Sequence, residues 1–164
     1  MNRQYGQKSS MFKSGRGIYG QAHAPQGQTM TDFGPQLFVV DINKATLNNN
    51  NFRTALWSGT HLQLTVMSLN PGEDIGLEMH PGVDQFLRLE GGQGLCQMGD
   101  SQNNLHFAAP VFEDSAIFVP AGTWHNITNT GSTPLKLYSV YAPPNHPAGT
   151  VHPTKEIAGA EEGH

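Results

Sequence analysis

The chain has 164 residues, enough for one domain with a sizeable core, and only 13% of them are charged, roughly half the usual share. Its net charge of −4 is unevenly divided: residues 1–31 carry four basic residues and no acid, whereas residues 32–164 carry five basic and thirteen acidic residues. An acidic body excludes nucleic acid as the expected partner, since phosphate binding needs a basic face.

The single cysteine, Cys96, rules out a disulfide within the chain and is typical of a reducing compartment. No apolar run approaches the length of a membrane span, and the N-terminus lacks the apolar centre of a secretory signal. We therefore expect a cytoplasmic protein that contacts no membrane, with Cys96 as a small buried apolar side chain.

The chain divides into two regions of different texture. Residues 1–34 are rich in Gln, Gly and Ser and show neither a helical nor a strand period, which predicts a flexible polar N-terminal arm. Residues 35–164 are predicted to form a single domain that ends in a Pro-rich extension, in which His146 and His152 are weak candidates for covering the mouth of a barrel.

Short strand-like segments follow one another from Pro35 onward, separated by turns that contain Gly or Pro. The predicted strands are 36–41, 53–57, 62–69, 76–80, 85–90, 94–98, 105–107, 116–119, 125–129 and 135–141. Short helical turns are expected over 43–51 and 154–159. The chain holds 19 Gly and 11 Pro, where average usage would give about 20 of the two together. Many short, turn-punctuated strands predict an all-β sandwich or barrel.

Glu78 and His80 are two residues apart in one predicted strand, so their side chains point to the same face. A carboxylate and an imidazole inside a barrel are costly unless something pairs them, and a metal ion would do so. A plain hydrogen bond between the two at the surface is the alternative.

Gln85 lies five residues after His80, beyond the turn at Pro81-Gly82. Alternation along the next strand places Gln85 on the same face as Leu87 and Leu89, which predicts that it points inward. Asp84 is the stronger metal ligand chemically, but it falls on the opposite face.

A Pro-x-Gly turn at Pro120 leads into His125 at the start of another strand. Such a turn would place the imidazole at the mouth of the barrel. Tyr138, in the last predicted long strand, is a further candidate for lining the cavity.

Two segments resemble the motifs of the cupin family, G-x5-H-x-H-x3–4-E-x6-G and G-x5-P-x-G-x2-H-x3-N. The first is residues 72–92, GEDIGLEMHPGVDQFLRLEGG, and the second is residues 114–129, DSAIFVPAGTWHNITN. Every spacing fits, but Glu78 replaces the first His, Gln85 replaces the Glu, and Asp114 replaces the opening Gly. An alternative register keeps Asp84 as a fallback ligand.

The resemblance implies a double-stranded β-helix, or jelly-roll, cupin barrel of the compact single-domain bacterial type. It implies one divalent transition metal ion (Fe, Mn, Zn, Ni or Co) held by Glu78, His80, Gln85 and His125. Two His and one carboxylate are the ligand count of non-haem Fe(II) oxygenases, but these ligands select weakly among such metals. The altered ligands also leave open a site that has lost its metal.

Three functions follow as expectations. The first is a metal-dependent, dioxygenase-like or related enzyme acting on a small oxygen-rich molecule, with Glu78 as a catalytic base. The alternatives are a sugar or sugar-phosphate isomerase and a non-catalytic ligand-binding or structural protein. The expected partners are a small-molecule ligand and a second copy of the chain in a homodimer, because exposed edge strands invite pairing.

Overall fold

The computed structural model describes residues 18–19 and 32–162 of the chain. Thirteen elements lie in these ranges: β1 (Ile18–Tyr19), β2 (Val39–Val40), α1 (Ile42–Asn48), β3 (Arg53–Ser58), β4 (Gln63–Leu69), β5 (Asp84–Gly91), β6 (Gln93–Gly99), β7 (Phe107–Phe112), β8 (Ala116–Val119), β9 (Trp124–Asn129), β10 (Leu135–Ala142), β11 (Val151–His152) and α2 (Lys155–Glu161). The predicted all-β class is confirmed. No helix of the described residues is long and apolar enough to cross a membrane.

Most of the predicted N-terminal arm lies outside the described residues, and its flexibility stays a prediction. Within the predicted range, β1 pairs antiparallel with β2. At the end of the same range Phe33 is buried, and its backbone N–H donates to the carbonyl of Leu56. The packed body of the protein therefore begins no later than Asp32, whose carboxylate accepts from Ser58 and from the backbone of Gly149.

The long strands form two antiparallel sheets. One has six strands in the order β11-β3-β4-β10-β5-β8, and the other has three in the order β7-β6-β9. One apolar cluster contains Leu87 and Leu137 of the larger sheet together with Cys96 and Ile127 of the smaller one. The two sheets therefore face each other around a shared core, which is the predicted jelly-roll arrangement.

The outer face of the larger sheet is partly covered. A second apolar cluster places Val66 of β4 against Phe33 and Ala45, so α1 and the chain before it pack on this face. Tyr138 belongs to this outer cluster. The expectation that Tyr138 lines the cavity is therefore wrong, because strand alternation turns it away from its neighbour Ser139, which is fully buried.

The predicted strand over residues 76–80 does not form a regular strand. The chain between Asp74 and Glu78 pairs with β9 only through isolated antiparallel bridges, Asp74 with Thr128 and Glu78 with His125. Gly76 has a φ of +89°, which turns the backbone out of the extended conformation between the two bridges. The side-chain alternation assumed for a continuous strand therefore holds only locally around Glu78.

Candidate metal centre

Glu78 and His125 are brought together by backbone pairing. The N–H of Glu78 donates to the carbonyl of His125 at 3.1 Å, and the N–H of His125 donates back to the carbonyl of Glu78 at 2.9 Å. His80 follows two residues later, and its carbonyl accepts from the N–H of Gly122 in the predicted Pro-x-Gly turn. The two motif segments therefore meet at one place.

The side chains of Glu78, His80 and His125, called here the Glu–His–His cluster, converge. One ligand atom from each lies within 4.8 Å of the others. Glu78 Oε1 is 3.3 Å from His80 Nε2 and 3.4 Å from His125 Nε2. These separations suit three donors arranged around a common ion.

The two imidazoles present bare nitrogen atoms to this centre. His125 is only 1% exposed, and its Nδ1 lies 3.0 Å from the carbonyl oxygen of Thr123. Because a carbonyl oxygen can only accept, this contact needs the proton on Nδ1, and in the neutral tautomer the lone pair of Nε2 is then free to bind a metal. The Nε2 atoms of His80 and His125 are buried and have no hydrogen-bond partner within the described part of the chain. The donor set therefore fits a metal ion, which would supply the missing partner.

Glu78 supplies negative charge to the cluster. Burial by itself would raise the pKa of Glu78, but the nearby imidazoles of His125 and His80 lower it to about 2. The carboxylate is therefore ionised at neutral pH. An anionic oxygen beside two imidazole nitrogens is a donor set that divalent transition metals accept.

Gln85 lies inside the barrel and is 4% exposed. Its amide nitrogen donates to Ser139 Oγ at 2.8 Å, while its Oε1 is buried without a partner among the described residues. Asp84, by contrast, is exposed and accepts from the N–H of Ala121 at 2.9 Å. The inward direction predicted for Gln85 is what the structure has, and its role as a fourth ligand stays a prediction.

A cavity of about 600 Å³ opens beside the Glu–His–His cluster. Polar and apolar side chains share its lining, which includes three carboxylates and two imidazoles but no Lys or Arg: Leu77, Glu78, Met79, His80, Gln102, Trp124, Asn145, His146, Pro147, Glu161 and Glu162. The C-terminal segment forms part of this lining, so His146, a weak candidate from the sequence analysis, lies in the same cavity as His80.

Buried Gln63 fixes the position of His146. Its amide oxygen accepts from the backbone N–H groups of Asn145 and His146 at 3.1 and 2.9 Å, and its amide nitrogen donates to the carbonyl of His146 at 2.8 Å. The His146 ring then lies between two polar groups, with Nε2 3.3 Å from the Tyr141 hydroxyl and Nδ1 3.3 Å from Glu162 Oε1. Tyr141 also contacts His80 edge-on, with ring centroids 5.9 Å apart.

Five residues that the sequence did not connect form a second polar group. In this C-terminal polar cluster, defined as Arg53, His146, His152, Glu161 and Glu162, Arg53 Nη1 donates to Glu162 Oε1 at 2.9 Å. His152 Nε2 is 2.9 Å from Glu161 Oε2, and its Nδ1 is 3.3 Å from Arg53 Nη1. No local sequence pattern predicts this cluster, because its members come from β3, β11, the chain after β10 and the end of α2.

Known proteins match this fold and sequence. A family model described as a cupin domain matches residues 65–141. The uncharacterized Bacillus subtilis protein YrkC is 65% identical over 133 residues, which are 81% of this chain and 72% of YrkC. The crystal structure of BH2720 from Bacillus halodurans is also 65% identical, with a TM-score of 0.79 over 79% of this chain and 98% of that one.

A more distant likeness supports the architecture alone. A Klebsiella pneumoniae protein described as having a double-stranded β-helix domain is 20% identical, with a TM-score of 0.52 over 65% of this chain and 88% of its own. These three relatives are bacterial, and the bacterial type that the family resemblance implies for this chain stays a prediction. With its two facing antiparallel sheets and its matched motifs, the chain belongs to the cupin superfamily as a small single-domain member.

Proposed function

We propose that the chain binds one divalent transition metal ion through Glu78, His80 and His125, with the amide oxygen of Gln85 as a fourth donor. The observation that carries this proposal is the pair of buried imidazole Nε2 atoms that face an ionised carboxylate and have no other partner within the described residues. The unpartnered Oε1 of Gln85 supports the fourth position.

We further propose that the protein is a metal-dependent enzyme that acts on a small oxygen-rich molecule in the adjoining cavity. A bound ion of this kind supplies Lewis acidity to a carbonyl or hydroxyl oxygen. The residues of the chain do the rest: Glu78 takes up a proton from the substrate when it leaves the coordination sphere, and the C-terminal segment excludes bulk water from the cavity.

The charges of the lining favour an uncharged substrate over a phosphosugar. No Lys or Arg lines the cavity of about 600 Å³, and Glu161 and Glu162 add negative charge to its wall. A phosphate group would meet carboxylates instead of the cations that it needs. The sugar-phosphate alternative is therefore disfavoured. The same charges do not argue against an isomerase that acts on an uncharged sugar.

The test is elemental analysis of the purified protein by ICP-MS beside a His125→Ala variant. We expect about one equivalent of metal per chain in the wild type, lost in His125→Ala, because removal of one of three strong donors leaves an incomplete site. His106→Ala is the matched control: His106 is an exposed histidine outside the cluster, and its loss should leave the metal content unchanged.

The identity of the metal then separates the chemistries. Iron favours an oxygenase-type reaction, and zinc or manganese favours Lewis-acid chemistry of the isomerase type. Wild-type protein that stays free of metal even after reconstitution would contradict the proposal and support the non-catalytic alternative.

A further inference from the structure

Helix α2 is weakly held by apolar contacts. It has seven residues, and a helix of this length is not stable by itself in water. Ala158 is its only buried residue, packed in the core cluster with Phe52 and Ile75, while Ile157 is 39% exposed. Burial of one methyl group provides little hydrophobic stabilisation, so other contacts must hold the helix in place.

Polar contacts at both ends provide that hold. At the start of α2, Lys155 pairs with Asp74, whose other carboxylate oxygen accepts from Asn126 of β9 at 3.0 Å. At its end, Glu162 accepts from Arg53, and Glu161 pairs with His152. The helix is therefore fastened to both sheets by charged side chains.

The contact between Glu162 and Arg53 dominates this fastening. Arg53 is 1% exposed, and its charge inside the fold is costly unless an anion balances it. A hydrogen bond with His146 and the positive charge of Arg53 hold the pKa of the Glu162 carboxyl below its ordinary value, so the partner is an anion at neutral pH. Among the described residues, Arg53 forms an ion pair with Glu162 alone.

The position of Glu162 links this ion pair to the metal centre. Glu162 lines the cavity of about 600 Å³ and also a neighbouring cavity of about 280 Å³, and Glu78 lines both of them. The end of α2 therefore forms a wall shared by the two cavities beside Glu78, and its removal would join them there.

We propose that α2 is a lid over the Glu–His–His cluster and that Glu162 on Arg53 is the latch that keeps it closed. Opening breaks the contacts of Glu162 and Glu161 with Arg53 and His152 and exposes one small apolar contact. The core between the sheets stays packed, so the lid can open without unfolding the sheets. The role in metal access rests on the proposed function, whereas the lid motion itself does not.

Hydrogen exchange of the α2 amides, followed by mass spectrometry in wild type and Glu162→Gln, tests the motion. The glutamine keeps the shape and a carbonyl acceptor but removes the charge, so the fold is retained. We expect α2 exchange to rise by about tenfold, the effect of losing a charge-assisted hydrogen bond, with β5 and β10 unchanged. Glu156→Gln is the matched control: it removes an exposed carboxylate from the first turn of α2, away from Arg53, and should raise α2 exchange much less than Glu162→Gln does.

Extraction of zinc from the zinc-loaded protein tests whether the lid controls access to the metal centre. We expect a chromogenic chelator to extract zinc about tenfold faster from Glu162→Gln than from wild type or Glu156→Gln, since extraction needs the lid open. Equal exchange rates of the α2 amides in Glu162→Gln and wild type would contradict the lid motion. Faster exchange with an unchanged rate of zinc extraction would contradict the proposal that the lid controls access to the metal centre. If zinc does not bind at all, the proposed metal site fails, and the exchange experiment still decides the lid.

Discussion

The two ends of the barrel interior differ in polarity, although the same strands form both ends. Along β4 the inward side chains change from Gln63 and Thr65 to Met67 and Leu69, all buried. Along β10, read backward, they change in the same direction from Tyr141 and Ser139 to Leu137 and Leu135. Register pairs these strands polar to polar and apolar to apolar.

The comparison between the two ends shows which of them contributes most to stability and which is arranged for binding. The apolar end gains hydrophobic free energy from each buried side chain. The polar end holds atoms that have no hydrogen-bond partner within residues 18–19 and 32–162, among them Thr65 Oγ1, Gln85 Oε1 and the Nε2 atoms of His80 and His125. Such atoms cost free energy unless a ligand or water contacts them. The first end stabilises a barrel whose second end is arranged for binding.

The largest effect on stability is expected at the apolar end. Leu137 is fully buried in the core cluster, and Leu137→Ala should lower the free energy of unfolding by roughly 2–5 kcal/mol through lost burial and a cavity. Urea unfolding of the metal-free protein measures this. Metal content should be retained below the transition. A loss under about 1 kcal/mol, within the range of ordinary surface changes, would contradict the division between the ends.

A smaller effect on folding, together with an effect on binding, is expected from Gln85→Leu at the polar end. The change keeps a similar volume but removes the amide oxygen and the hydrogen bond to buried Ser139 Oγ, so the free energy of unfolding should fall by about 1–3 kcal/mol. Metal affinity, measured by competition with a chelator, should fall by about tenfold because one weak donor is lost.

Asp84→Asn is the matched control for Gln85→Leu, since Asp84 is the exposed neighbour that the alternative motif register would make a ligand. It should leave the affinity unchanged. The reverse result, a loss in Asp84→Asn and none in Gln85→Leu, would move the fourth donor to Asp84.

The smallest effect is a pH dependence at His146. Burial lowers the pKa of His146 below its ordinary value, against the opposing contact with Glu162. Tyr141, Glu162, Arg53 and His152 face this imidazole. As the pH falls, this histidine takes up a proton in the unfolded chain before it does so in the folded protein. The contribution of His146 to the free energy of unfolding is therefore complete above about pH 6.5 and decreases as the pH falls toward the lowered pKa.

Replacement of His146 by Gln removes that titration. Melting temperatures of the metal-free protein between about pH 8 and about pH 5 should fall less steeply with acidification in His146→Gln than in wild type. An identical slope in both proteins would show that His146 is not the group responsible. Glu162, whose pKa is also lowered, contributes in the same direction only near and below the ordinary carboxyl range.

Much of the fold and the centre of the candidate site followed from local sequence. Turn residues marked most strand ends, and period-two alternation placed Gln85 inward and Asp84 outward, because side-chain direction in a strand depends only on position. The segment at 76–80 escaped this reasoning, since the positive φ of Gly76 breaks the extended geometry on which alternation rests. The homodimer, the cytoplasmic location and the identity of the metal stay predictions.

The sequence by itself determined the all-β fold and the motif segments that meet at Glu78, His80 and His125, because these depend on local spacing and turn chemistry. Only the tertiary structure decided how the cavity is closed. Arg53 meets His152 and Glu162 across 99 and 109 positions of the chain. Such a contact depends on where the edge of the larger sheet and the end of α2 come to lie, and no short-range pattern carries that information.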